Sequence, residues 1–221
     1  MGYLLLTHDA QLTFRWPRDR SSLESGRLSS TIFTDADWTE PRSQNGMIAC
    51  LRTGTSPDSV SGMLPIHWAS KKQPLAADSS TAAEIIAAHY GLREAFAILS
   101  SFGDFLRGCG MLEGAPKVHL RVDNSTCLKH VNKSPTDTFF AYSKACAVRI
   151  SLLSELRQAG VILCSHVKSD LNPADVFTKP FSPADHIAKS KLTGLDFPCD
   201  SAVHVANVAV RGSLWQRLRR L

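Results

Sequence analysis

No apolar stretch in this chain approaches the roughly 18 consecutive residues that a membrane-spanning helix requires. The opening Met1-Gly2-Tyr3-Leu4-Leu5-Leu6 has neither a basic leader nor a cleavage site, so secretion and membrane insertion are not expected, and an intracellular location is. Leu6 stands where N-myristoylation wants Ser or Thr. The six cysteines (Cys50, Cys109, Cys127, Cys146, Cys164 and Cys199) form no C-x-x-C pair. Cys164-x-His166 offers too few ligands for zinc, which leaves reduced, mostly buried thiols as the expectation. Internal repeats, low-complexity tracts and a G-x-S-x-G nucleophile turn are missing as well, and the last of these argues against a metal-free serine hydrolase.

What is present is the composition of a folded globule: 221 residues, 43% hydrophobic and 20% charged. That length suits one domain with a substantial appendage and excludes disorder as the main state. Lys and Arg number 25 against 20 Asp and Glu, a net charge of +5 that leans mildly toward a polyanionic partner. Much of the excess lies near the end, where Lys191, Arg211, Arg217, Arg219 and Arg220 face only Asp196 and Asp200. We divide the chain into a connector over 1–28, a domain over 29–195 and a basic tail over 196–221.

Within the domain, Ser30 to Thr34, Met47 to Leu51 and Met63 to Ala69 are β-rich and separated by turn residues, which predicts an antiparallel meander. Ile85, Ala88, Leu92, Phe96 and Leu99 recur at helical spacing and predict a long amphipathic helix from Thr81 to about Phe102. Lys117 to Val122 alternates as a fourth strand, followed by a short helix from Ser125 to Val131. Phe139, Tyr142, Cys146, Ile150, Leu153 and Leu156 mark a second long helix, closed by Ala159-Gly160, and Val161 to Val167 reads as a fifth strand. Asn172-Pro173 is a helix start, so a last helix is expected from Ala174 to Pro180. This order predicts an α/β protein of mixed type, a mixed sheet with helices packed on it.

Four carboxylates fall where these elements end or begin: Asp35 closes the first strand, Glu84 lies in the first turn of the long helix, Asp123 closes the fourth strand, and Asp175 starts the last helix. Hydrolysis of a phosphodiester with two divalent ions needs such a set, hard oxygen ligands carried on several rigid elements. Each also has a structural reading. Thr81-x-x-Glu84 matches a capping box, Asp175 suits a helix dipole, and Asp35 and Asp123-Asn124-Ser125 suit turns or caps.

The motifs FTDADW (33–38), HWASKKQ (67–73), DSSTAAEIIAA (78–88), VDN (122–124) and NPADVFTKPF (172–181) together resemble the ribonuclease H domain at the end of the Pol polyprotein of copia-type LTR retrotransposons. The likeness runs from about Ser29 to Leu195, and YLLLTHDAQLTF (3–14) resembles the segment that follows reverse transcriptase. The resemblance implies a ribonuclease H-like fold with a five-stranded mixed sheet, three antiparallel strands first, flanked by helices. It implies cleavage of the RNA strand of RNA:DNA hybrids, leaving 3′-hydroxyl and 5′-phosphate ends, with two Mg²⁺ ions, replaceable by Mn²⁺, held by Asp35, Glu84, Asp123 and Asp175. It also implies the reverse transcriptase domain of the same polyprotein as a partner, in cytoplasm, virus-like particle or nucleus. The chain departs from the family at Ser143 to Ala147, where a histidine is missing.

Phosphates are held by Lys and Arg, and RNA is told from DNA by its 2′-hydroxyls across the minor groove. Lys71, Lys72 and Gln73, just ahead of the long helix, and Asn124 and Ser125, beside Asp123, are the candidate contacts. Trp38 and Trp68 are expected in the core, and His166 as a half-buried strand residue. Two rivals stand beside this reading. One is an inactive remnant of the same fold that binds nucleic acid. The other is an integrase or transposase, for which Asp35, Asp123 and Glu155 would supply an Asp-Asp-Glu order.

Overall fold

A computed structural model of the chain describes residues 11–12, 28–53, 63–110, 118–133 and 143–196. Three ten-residue strands, β2 (Leu28–Asp37), β3 (Gln44–Thr53) and β4 (Met63–Lys72), form the antiparallel meander. Two shorter strands, β5 (Val118–Val122) and β6 (Ile162–His166), extend the sheet in parallel from β2. The order is β4-β3-β2-β5-β6, a five-stranded mixed sheet. Helix α1 (Ser80–Gly108) lies across β2, β3 and β5, and α2 (Ser125–Val131) and α3 (Lys144–Gln158) fill the crossover between β5 and β6. This is the ribonuclease H-like fold. A separate two-residue ladder joins β1 (Gln11–Leu12) to β7 (Leu195–Asp196) and ties the upstream segment to the end of the domain.

Successive residues of a strand point to opposite faces, and both faces of the central strands are covered. Ile32, Met47 and Ala49 join the larger core under α1 and α3, with Ile85, Leu92, Ile150 and Leu153. Their neighbours Phe33, Ile48 and Cys50 point the other way and pack against Val167 and Ala174. Ser79, in extended backbone, caps α1 by accepting from the Ala82 N–H at 3.1 Å, so the capping box expected at Thr81 and Glu84 is not formed. Helix α3 is fastened to the end of α2: Ser154 Oγ donates to the Lys133 carbonyl at 2.5 Å, and Arg157 reaches the carbonyls of Val131 and Asn132. Those bonds satisfy acceptors that a helix end leaves open.

Some expectations are corrected. Residues 174–180 do not form an α-helix; a 3-10 turn, Pro173–Phe177, occupies most of this stretch, and another, Ser169–Leu171, precedes it. Pro180 leaves too little length for an α-helix, and short runs favour the tighter 3-10 bond pattern. A helix that the sequence reading did not assign follows, α4 (Pro183–Lys191), with Ser182 as its cap and Asp185 in its first turn. Trp38 and Trp68 are 55% and 49% exposed rather than core. Trp38 lies just past the end of β2, and Trp68 sits on the edge strand β4, so neither is enclosed on all sides. Phe139, Tyr142, Lys117, Cys199 and the basic tail beyond Asp196 lie outside the described residues. Among the described residues, Cys50, Cys127 and Cys146 are buried free thiols and Cys109 is an exposed one. No helix there is long and apolar enough to cross a membrane.

Helix α1 approaches the sheet most closely at Gly91, where an added Cβ would stand 2.5 Å from Thr34 Cγ2 and 3.4 Å from Met47 Cβ. Gly108, at the end of the same helix, faces open space. Gly91→Ala is therefore expected to destabilise the fold by about 1–3 kcal/mol through overpacking. Gly108→Ala is expected to stabilise it by up to about 1 kcal/mol through helix propensity. Urea denaturation of the two variants should show these opposite signs.

Candidate active site

Thr34 and Val122 are register partners on the parallel strands β2 and β5, so the next residue of each, Asp35 and Asp123, emerges side by side at the same end of the sheet. Asp175 reaches that end from the second 3-10 turn. Asn172 puts it there: its Nδ2 donates to the Thr34 carbonyl at 3.1 Å, and its Oδ1 accepts from the Ala174 N–H at 3.1 Å. Oxygens of Asp35, Asp123 and Asp175 all lie within 4.8 Å of one another. Asp35 and Asp175 are buried, and Asp123 is half-buried. Glu84 arrives from the first turn of α1. Its Oε1 accepts from the Ala36 N–H at 3.4 Å, while its Oε2 is buried with no partner.

Two lysines balance this negative charge. Lys179 Nζ stands 3.0 Å from Asp35 Oδ1 and 3.0 Å from Asp175 Oδ1, bridging the two. Lys189 Nζ stands 2.8 Å from Asp175 Oδ2 and donates to the Ser169 carbonyl. The Thr178 hydroxyl donates to Asp35 Oδ2. Burial pushes the Asp35 carboxyl up to about 6 in spite of the Lys179 charge and the Thr178 hydrogen bond. Burial, and then the charges of Asp35 and Asp123, push Glu84 well above the usual carboxylate range. Burial works against the Lys179 ammonium, but the attraction of Asp35 and its hydrogen bonds to Asp175 and Asp35 more than offset it, so its pKa is raised.

The donor set fits a divalent cation. All four groups are hard oxygen donors, they come from separate rigid elements, and one buried oxygen, Glu84 Oε2, has no other use among the described residues. An ammonium group already bridges Asp35 and Asp175, which shows that the site demands positive charge. Glu155 is exposed on α3 and is not in the carboxylate cluster, so the Asp-Asp-Glu set is not assembled.

The candidate nucleic-acid contacts fare unevenly. Lys71 and Lys72 are exposed at the end of β4, and Lys72 Nζ donates to the Arg42 carbonyl at 3.0 Å. Gln73 is wholly buried and is corrected to a structural role: its Nε2 donates to Asn45 Oδ1 at 2.7 Å and to the Ala83 carbonyl at 2.9 Å, pinning the start of α1 to the sheet. Asn124 caps α2 by accepting from the Cys127 N–H at 2.8 Å, and Ser125 is exposed beside it. His166 is exposed rather than half-buried, because it ends β6, and its Nε2 lies 2.9 Å from the Asp123 carbonyl. Lys179 and Lys189 were missed. Lys179 had a signal, since it lies four residues after Asp175 in one motif; Lys189, fourteen residues away, had none.

No family model matches the chain, and no curated protein matches it. Among solved structures, the chain is similar to LC11-RNase H1, isolated from compost, at 17% identity and a TM-score of 0.44, over 68% of this chain and 92% of that one. The same protein in complex with an RNA/DNA hybrid matches at 15% identity and a TM-score of 0.44, over 68% and 94% of the two chains. The N-terminal RNase H domain of a Mycobacterium tuberculosis protein matches at 12% identity and a TM-score of 0.42, over 75% and 99%.

An acid whose pKa is higher in the folded state holds its proton more tightly there. Asp35 rises from 3.8 to about 6, so its contribution to stability is complete below pH 3.8 and is lost as the pH rises through 6. A rise of that size corresponds to at most about 3 kcal/mol. In EDTA, the unfolding free energy of wild type minus that of Asp35→Asn is expected to fall over this range. A divalent cation at neutral pH should restore wild type and not the variant. A difference that stays flat with pH would show that Asp35 titrates normally.

Proposed function

We propose that this chain is a ribonuclease H, a divalent-metal-dependent endonuclease that hydrolyses the RNA strand of RNA:DNA hybrids during retrotransposon reverse transcription. The observation that carries this reading is the convergence of Asp35, Asp123 and Asp175 within 4.8 Å at one end of the sheet. Glu84, with its unpartnered oxygen, stands on the adjoining helix. The residues of the TDAD, SSTAAE, VDN and NPAD motifs are thereby gathered from four separate elements.

Asp35, Glu84, Asp123 and Asp175 would hold two Mg²⁺ ions, with Mn²⁺ able to replace them. Bound there, such ions supply a hydroxide nucleophile at neutral pH and neutralise the leaving 3′ oxygen. The chain's own residues do the positioning. Asn172 fixes Asp175 against β2, Thr178 orients the Asp35 carboxylate, and Lys189 holds the second oxygen of Asp175. Ser125, exposed near Asp123, would meet a 2′-hydroxyl, and the exposed Lys71 and Lys72 would meet phosphates. The copia-type motifs support a polyprotein context, with a connector over 1–28, a catalytic domain over 29–195, a basic tail over 196–221 and a reverse transcriptase partner.

Incubation of the purified chain with labelled RNA:DNA hybrid, duplex DNA and duplex RNA tests the reading. Cleavage is expected for the RNA of the hybrid alone, with Mg²⁺ or Mn²⁺, and is expected to stop in EDTA. Asp123→Asn should lose about 100-fold or more, since such a site contributes several kcal/mol to the transition state. Glu155→Gln should leave the rate unchanged. A folded Asp123→Asn protein that cleaves at the wild-type rate would overturn the assignment, and hybrid binding without metal-dependent cleavage would mark an inactive remnant.

A further inference from the structure

Between α1, α3 and the ends of β3 and β4 lies an open cleft of about 220 Å³. Lys71 and Lys72 from β4, Arg93 from α1 and Arg149 from α3 contribute to its lining, with Tyr90 at its wall and Glu94 as its one acid. Among the described residues, none of the four cations is paired with a carboxylate. Arg149 Nε is buried without a hydrogen-bond partner, although its Nη1 donates to the Ala145 carbonyl at 2.6 Å. His89, half-buried in the lining, is pushed down to about 4 by burial and then by the charges of Arg149 and Arg93. Three elements thus bring four cations to one concave space that holds a single acid, and the buried Arg149 Nε there lacks an acceptor.

The position of the cleft narrows its occupant. Ser70 is the register partner of Gly46, which in turn pairs with Asp35, so Lys71 and Lys72 begin the cleft at the same end of the sheet as the carboxylates. Arg93 lies nine residues beyond Glu84 on α1, about 13 Å along the axis at 1.5 Å per residue. That distance corresponds to about four base-pair steps of a nucleic-acid strand. Cations on three elements at this distance from the carboxylates suit phosphates further along a bound strand better than a single small anion.

We propose that this cleft binds the sugar-phosphate backbone of the nucleic-acid substrate at phosphates several nucleotides away from the scissile one. The proposal rests on the reading of the chain as a hybrid-cleaving nuclease and extends it with a second contact region built from Arg93 and Arg149. Contacts of this kind position the duplex and carry no sequence information. They act on affinity and leave the chemical step alone.

Binding of the full chain to a labelled RNA:DNA hybrid in EDTA, measured by fluorescence anisotropy across a salt series, tests this. For Arg93→Glu combined with Arg149→Gln, affinity at low salt is expected to fall about tenfold or more, and the slope of log K against log salt to shrink by about 2, close to 0.9 per lost phosphate contact. Arg93→Lys should keep both. In cleavage assays the double variant should raise KM and keep kcat, and circular dichroism should show an unchanged fold. Unchanged affinity and slope in the folded double variant would overturn the proposal. So would displacement of the hybrid by inorganic phosphate beyond that by chloride at matched ionic strength, which would assign the cleft to a small free anion. If wild type cleaves hybrids and the double variant binds normally, the cleft fails and the nuclease reading stands. If wild type cleaves nothing while binding still depends on Arg93 and Arg149, the nuclease reading fails and the cleft stands. A wild type that neither binds nor cleaves overturns both.

Discussion

Gathering four carboxylates at one end of a sheet, three of them buried, is the constraint on which the remainder of this structure turns. Each buried carboxylate loses hydration, and each raises the cost of ionising its neighbours. The upward shifts of Asp35 and Glu84 register that cost. Protonation is one way to relieve it, and positive charge brought from elsewhere in the chain is another. The segment after β6 does the second. It crosses the sheet end, places Asp175 by way of Asn172, and then returns Lys179 and Lys189 to the carboxylates. Lys179 is still 35% exposed, so its stabilising effect is screened by water, and the bridge between Asp35 and Asp175 is correspondingly open to exchange with a better cation.

That crossing depends on a gap in the sheet surface. Gly46 lies opposite Asp35 in the β2–β3 register, and a Cβ on it would stand 2.6 Å from Thr178 Cγ2 and 2.8 Å from the Ala174 carbonyl. A side chain at this position would push the 3-10 turn off the strand and carry Asp175 and Thr178 away from Asp35. One glycine on β3, one asparagine before the turn and the alternation of β2 therefore decide together whether the cluster closes. The same alternation sends Phe33 to the face that the turn covers and Ile32 to the face under α1.

The strands and the long helices were legible because their signals are local: β-rich runs bounded by turn residues in β2, β3 and β4, period two in β5, three- and four-residue spacing in α1, and Ala159-Gly160 at the end of α3. The carboxylates were legible because each ends or begins an element, and the motifs fixed which acids to choose. What escaped depends on distance along the chain. Gln73 reads as a polar surface residue until Asn45 and Ala83 are seen to enclose it. Lys189 reads as a solvated helix residue until the fold returns it to Asp175. The 3-10 geometry of Pro173–Phe177 was hidden because the Asn-Pro start signal is common to both helix types, and Pro180 acts only through the length it leaves. Trp38 and Trp68 were misplaced for a related reason: hydrophobicity predicts burial only where another element arrives to cover the residue.

Helix α1 joins the two charged regions of opposite sign. Its first turn sends Glu84 to the carboxylate end, Gly91 lets its axis approach β2 and β3, and Leu92 and Leu99 share the core with α3. The surface left over after these contacts is the strip that bears His89 and Arg93, and it faces Arg149 on α3 and the end of β4. Because Gly91 fixes the depth of the helix, the cations and the carboxylates are held at one separation by a single rigid body. An anionic strand drawn to the first, as proposed, would thereby be brought to the second, whose own negative charge would repel it without a cation. On the proposed reading, the positive cleft and the cation-demanding cluster would solve halves of one electrostatic problem: attracting a polyanion to a site that must itself be acidic.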